Sequence, residues 1–348
     1  MKTRIWHFAV LSLANPALSL ACACGCGIFD VGTSAMFANH TGGMAYIEFD
    51  YLDQSHNYSG TSSAPAADNP DKAIRTKFMT VGAQLQFNRS WGLTAEVPYW
   101  DRYFQTTDED SGAIVESTHA AVGDIRIKGS YTGFSADMST GMTFGVKLAN
   151  GDTSYPNFDA DTQIGSGSTD LLLGGYHLGR LTADNRWSYF VQAQWDQPIW
   201  HKENYRPGAE GVAVAGAYFE GWSTHAALKV APVVQLRAVY RRPDGGEDAL
   251  PDDTGYSRLL ISPGLELATG HARVYADVAF PLYTNARGNQ LFANQMWKVN
   301  ASYYFEATSC GRVGCRAPRG SGCGIGDRAR RRAGGPRSGG PELQRRET

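Results

Sequence analysis

Beyond its first two dozen residues, this 348-residue chain lacks any apolar run approaching the roughly 18 residues of a membrane-crossing helix. Mean hydropathy is slightly polar, at −0.34. A membrane role therefore requires strands closed into a barrel, which satisfies every backbone group between neighbours. A basic body is also missing. The formal net charge is −2, yet ten arginines against four acids give residues 306–348 a charge of +6, so the rest is acidic. That excludes the basic face of a nucleic-acid binder. No His-Ser-Asn signature or other nucleophile motif appears, and the scattered His56, His119, His177, His201 and His225 argue against a barrel enzyme. The acids Asp108-Glu109-Asp110, Asp159/Asp161 and Asp252-Asp253 lack EF-hand spacing and read as solvated loop surface. Trp100-Asp101 and Trp195-Asp196 supply the dipeptide of a propeller blade, but each period of about 45 residues contains two strands where a blade needs four.

What is present is alternation. Twelve segments read as strands with one apolar and one polar face. Ala45, Ile47, Phe49 and Tyr51 oppose Tyr46, Glu48 and Asp50; Val274, Ala276, Val278 and Phe280 oppose Arg273, Tyr275 and Asp277. Pro263-Gly264 interrupts the tenth segment. Long polar gaps at 54–73, 104–122, 150–168, 199–210, 243–255 and 287–295 alternate with short turns. One trimmed rim and one projecting rim fit a transmembrane barrel, with short periplasmic turns and longer outside loops. Aromatics at strand ends, including Tyr51, Trp91, Tyr99, Trp187 and Trp297, fit interfacial girdles. The expected fold is all-β: an antiparallel, up-and-down transmembrane β-barrel of about twelve strands in the bacterial outer membrane.

Four regions follow. Lys2 and Arg4, an apolar stretch and Ser19-Leu20-Ala21 mark residues 1–21 as a signal peptide. Residues 22–42 form a Cys/Gly-rich periplasmic segment and residues 43–305 the barrel. Residues 306–348 form an Arg/Gly-rich tail expected to be disordered, in keeping with a frameshift or read-through extension. The spacing of Cys310, Cys315 and Cys323 there is not that of a zinc site.

Three sets of residues carry candidate chemistry. Glu48, Asp50, Glu96, Asp124, Arg126, Lys128, Lys147, Asp196, Arg237, Arg241, Glu266, Arg273, Asp277 and Lys298 fall on the polar faces and are expected to line the lumen. They either border a narrow water path or pair and plug the barrel, and the reading favours the path. Cys22, Cys24 and Cys26 alternate with small residues and are candidate ligands for a soft metal. Disulfide pairing of Cys22 with Cys26 and lipidation of Cys22 are the other readings. The loop acids leave open divalent-cation bridging to lipopolysaccharide. No cofactor is implied. The expected partners are outer-membrane lipid, lipopolysaccharide and a small-molecule solute, with no nucleic acid; the oligomeric state stays open.

Three short motifs point further. Glu96-Val97-Pro98-Tyr99 closes a strand before a long gap, and Gly123-Asp124-Ile125-Arg126 follows that gap. Pro281-Leu282-Tyr283 runs on to Gly288-Asn289-Gln290-Leu291 before the last strand. Over about residues 74–305 the chain resembles the outer-membrane barrels associated with the meta-pathway of phenol degradation. The resemblance implies a transporter-like barrel for hydrophobic or aromatic compounds and supplies no catalytic residue. The other function class is a non-conducting barrel acting as scaffold, adhesin or metal-linked partner through the Cys-rich start.

Overall fold

A computed structural model describes residues 41–305 apart from 109, 203, 221, 226 and 227. The signal peptide, the Cys22/Cys24/Cys26 motif and the tail lie outside the described residues. Twelve antiparallel strands close one barrel. They are β1 (Gly42–Gln54), β2 (Asp71–Gln86), β3 (Trp91–Thr107), β4 (Ile114–Val122 and Arg126–Tyr131), β5 (Thr140–Lys147) and β6 (Ser168–Arg180). β7 (Trp187–His201), β8 (Glu210–Phe219), β9 (Leu228–Arg241), β10 (Tyr256–Thr269), β11 (Ala272–Phe292) and β12 (Met296–Phe305) complete it. Pairing of Gly43 with Phe305 through Leu52 with Met296 joins β1 to β12. Closure removes the open edge that an unrolled sheet would present.

The two-residue period fixes which side chains face lipid. On β1, Ile47 is 46% exposed while its neighbour Glu48 is 4%. Ile47, Phe49, Val81, Leu85, Leu93 and Val97 form part of an apolar outer belt. The belt ends at one rim in the outward ion pairs Asp53–Arg75 (3.5 Å) and Lys77–Asp101 (2.9 Å). At the other rim aromatic rings pack, Trp91 with Tyr131 at 4.9 Å and Trp187 with Phe219 at 5.0 Å between centroids. Between Trp91 and Tyr99, β3 runs nine residues, a length that crosses a bilayer at the usual tilt.

The interior is not uniformly polar. Phe78 and Trp100 meet edge-to-face at 4.7 Å, and Phe190 lies 5.3 Å from Tyr218. These rings, with Tyr176, Tyr275 and Leu260, belong to one buried cluster inside the barrel.

Several boundaries differ from the sequence reading. The gap at 104–122 is a hairpin: β3 continues to Thr107 and β4 begins at Ile114, pairing Thr107 with Ile114 down to Tyr99 with Val122. β11 likewise continues to Phe292, where His56–Gly60 pairs with its end. Polar composition suggested loops because these strand extensions stand above the bilayer. Pro263-Gly264 does not interrupt β10. Pro263 pairs with Val234 of β9, whereas the ladder to β11 passes from Ile261 to Gly264, so the missing N–H falls in that gap. A bulge at Leu282 shifts which residues of β11 face inward, from Asp277 and Ala279 below to Thr284 and Ala286 above.

Gly82 marks one packing constraint: a Cβ there would collide with the ring of Tyr46, whose hydroxyl donates to Glu96 Oε1 at 2.7 Å. Gly82→Leu is expected to displace that ring and lower stability by about 1–3 kcal/mol. Urea unfolding in phospholipid vesicles measures this, and an unchanged midpoint would contradict the packing.

Candidate functional site

The candidate site is the barrel interior. It is built from charges on strand walls and one loop folded down between them.

At mid-height, β1 and β12 place Asp50 opposite Lys298 and Glu48 opposite Asn300. Lys298 Nζ lies 2.8 Å from Glu48 Oε1 and 3.7 Å from Asp50 Oδ1, and Asn300 donates to Glu48 Oε2 at 3.1 Å. Asp277 flanks Lys298 from β11. It accepts from Arg237 of β9 and from Tyr275, both at 2.6 Å, and Gln235 donates to Tyr275. Three carboxyls and two cations thus form one connected group, with Arg237 reaching across β10. Lys298 and Arg237 are each 1% exposed. Burial of this depth is tolerated only where charges are paired and hydrogen-bonded.

The remaining candidates fall into smaller groups. Glu96 and Lys128 pair at 2.7 Å across β3 and β4. Lys147 and Asp170 pair at 2.5 Å across β5 and β6, and Ser168 donates to Asp170. Arg126 is opposite Glu96 on one side and Lys147 on the other. Arg241 lies 3.9 Å from Glu210 and 2.9 Å from Asp244. Glu266 and Arg273 approach to 3.5 Å towards the short-turn rim, and Asp196 accepts from Gln194 at 2.9 Å.

Asp124 has a different part. It sits in the break of β4, where its Oδ1 accepts from the Gly151 N–H at 2.9 Å and its Oδ2 from the N–H and hydroxyl of Ser166 at 2.8 and 2.5 Å. Both ends of loop 148–167 are therefore held by one carboxylate. Gly151 and Gly165 make this possible, since a Cβ on either would strike the backbone of the other. Arg102 Nη1 donates to the carbonyls of Thr162 and Gln163 at 2.5 and 3.1 Å, and Gln163 donates back to the carbonyls of Tyr155 and Phe158. Ile164 joins the interior cluster and Phe158 packs edge-to-face on Phe104 at 5.7 Å. Above, His119 Nε2 lies 2.7 Å from Asp152 Oδ2, and its ring stacks on Tyr155 at 4.2 Å.

Small cavities lie within this interior among the described residues. One of about 40 Å³ is bordered by Arg126, Lys147, Asp170, Glu210 and Arg241, with Asp161 and Tyr205 of the loops. Another, of about 50 Å³, is bordered by Tyr46, Glu96, Lys128, Tyr176 and Gln192. Each has room for a few waters.

Arg102, Asp170, Glu210, Asp244, Gln235 and Tyr275 were not among the candidates. Alternation does place Arg102, Gln235 and Tyr275 on the polar faces of their strands, outside the lumen set, and Asp170 shares the parity of the buried Leu172. Asp244 sits in a loop, where no period applies.

Chain-wide comparisons bear on the fold. No protein-family profile matches the sequence, and no curated relative matches it. An outer membrane channel from Pseudomonas putida F1 superposes with a TM-score of 0.60 at 11% identity, over 79% of this chain and 100% of that one. A FadL homologue of Pseudomonas aeruginosa scores 0.37 at 10% identity, covering 76% of this chain and 91% of that one. The toluene transporter TodX of P. putida scores 0.36 at 10% identity, covering 79% and 94%. The first match shows a shared fold; the other two scores are too low to establish one. The protein is an outer-membrane β-barrel. Its apolar belt, closed sheet and aromatic rim are those of that class.

Two outcomes follow from the charges. Lys298→Met leaves Glu48 and Asp50 without their cation and should cost about 3–5 kcal/mol in vesicle unfolding; a loss below about 1 kcal/mol would contradict the pairing. Asp71 stands eight residues above Met79 on β2, beyond the apolar belt. It is buried, Thr106 donates to its Oδ1, and its Oδ2 has no hydrogen-bond partner. Burial first, then the Asp161 and Asp159 carboxylates of the inserted loop, push its carboxyl up to about 8. A folded-state value above the unfolded one means that folding takes up a proton between about pH 4 and 8, so this group's contribution to stability falls as pH rises through that window. Asp71→Asn should flatten the difference in unfolding midpoint between pH 5 and pH 9, and an unaltered difference would contradict it.

Proposed function

We propose that this barrel is an outer-membrane channel or transporter for small solutes, closed at rest by loop 148–167. The observation that carries this reading is the loop itself. It enters the lumen and is held by side chains (Asp124, Arg102, His119) rather than by continued strand pairing, so it can leave without unzipping the sheet. Beneath it, Ile164 meets the interior aromatic rings, including Trp100 and Phe78. Rings inside an otherwise charged lumen favour hydrophobic or aromatic solutes, the class implied by the resemblance to barrels of the phenol meta-pathway. The fourteen charged candidates would set ion preference along the wall once the loop has moved.

A second reading has its own observation. Lys298 and Arg237 are each 1% exposed, and the cavities beside Arg126 and beside Glu96 measure about 40 and 50 Å³. A barrel that stays shut would serve as a scaffold or adhesin.

The full chain, purified from outer membranes and inserted in planar bilayers, should show small or rare conductance steps. Replacing residues 152–164 by a short Gly-Ser linker should produce larger, frequent steps, with ion selectivity altered by Arg126→Glu. A heat-resistant, folded linker variant that does not conduct would overturn the channel reading and favour the scaffold.

A further inference from the structure

The outer wall contains a hollow. A groove of about 730 Å³ opens on the lipid-facing side across β6 to β11. Its floor is a continuous row of small outward residues in register: Gly175 pairs with Ala193, Ala193 with Ala213, and Ala213 with Ala238. Large side chains flank the row, with Leu173, Trp195 and Tyr240 on one side and Tyr283 at its end. On the opposite wall, the outward positions carry residues such as Phe49, Val81 and Leu93. Only apolar chains can fill such a hollow inside the hydrocarbon layer.

The groove has a cationic end. Trp195 lies flat against the wall over Gly211, where a Cβ would stand 2.7 Å from its ring. Arg242, the next outward residue after Tyr240, places its guanidinium carbon 5.6 Å from the Trp195 ring centroid. This arginine is exposed. It lies at the rim of the long loops, where the outer leaflet presents phosphorylated headgroups. The aromatic face holds the cation at headgroup depth, directly beside the apolar hollow.

We propose that this groove is a binding site for lipid A of the outer leaflet, with acyl chains over the Gly175–Ala238 row and a phosphate at Arg242. A second copy of the chain fits less well. A two-fold contact through this face would set hollow against hollow and Arg242 against Arg242. The site rests on the long-loop rim being the outer one and is independent of whether the lumen conducts.

The test uses the full chain in mild detergent, stripped of lipid and titrated with hexa-acyl bisphosphorylated lipid A or its dephosphorylated form. Native mass spectrometry reads the bound fraction and the oligomeric state. Wild type should bind the bisphosphorylated form about tenfold more tightly, the scale of one charge-assisted phosphate contact. Arg242→Gln should remove that preference and retain binding of the dephosphorylated form. Ala213→Leu fills the groove from the outside and should weaken both, while bilayer conductance and heat resistance stay at wild-type level. Unchanged binding in both variants would overturn the site. A dimer that Ala213→Leu dissociates, with no lipid bound to the wild type, would overturn it in favour of a second copy.

Discussion

The ion group around Lys298 sets the terms for the rest of the barrel. Lipid outside requires the outward residues to be apolar, so with a two-residue period every polar side chain of a spanning strand must point inward. Twelve strands enclose too little space for all of those charges to keep full hydration. They must meet one another, and the register of neighbouring strands decides who meets whom. Asp50 faces Lys298 because β1 and β12 pair at that level, and Asp277 joins because β11 pairs with β12 at the same level. A one-residue slip at the closing seam would turn Lys298 to lipid and leave two carboxylates unpaired. The charged group therefore specifies closure as well as filling the interior.

The loop follows the same logic from above. Loop 148–167 brings backbone carbonyls and N–H groups into a buried space, which requires partners for each. Asp124 and Arg102 provide them. The break in β4 at residues 123–125 is explained on this basis: a regular strand would keep Asp124 facing along the wall, whereas the break turns its carboxylate to the loop's two ends. Asp71 adds a third layer: it is buried near the Asp161 and Asp159 carboxylates, and burial and those charges push its carboxyl up.

The faces of β1, β3, β9 and β12, and of β11 below its bulge at Leu282, were legible in the sequence because each alternates without interruption. Glu96 and Lys128, or Arg237 and Asp277, could be assigned to one face from parity alone. Three kinds of feature were not legible. Strand extensions above the bilayer, such as 114–122, carry polar residues on both faces and resemble loops. The rings of Phe78 and Trp100 sit on inward positions that the two-class pattern reads as lipid-facing or neutral. Contacts made by loop 148–167 depend on three-dimensional return of the chain, for which Asp124, Gly151 and Ser166 carry no periodic signal. Pro263 misled in the other direction, since its effect depends on which neighbour would have used the missing N–H.

Pairing and obstruction are separate properties of this interior. Glu48–Lys298, Glu96–Lys128, Lys147–Asp170 and Glu266–Arg273 each join adjacent strands, whose spacing is fixed at about 4.8 Å by the sheet. Such pairs lie along the wall and need not span the lumen. Arg237–Asp277 crosses one strand and reaches further in. The groups that fill the centre are the rings of Tyr176, Phe190 and Tyr275, the guanidinium of Arg102 and the loop residues against them. Movement of loop 148–167 would free Arg102 from two carbonyls and uncover Trp100, while the wall pairs kept their partners. A barrel arranged this way can change its lumen without losing the ion pairs that hold its register, so a closed interior and a transport role are compatible in one structure.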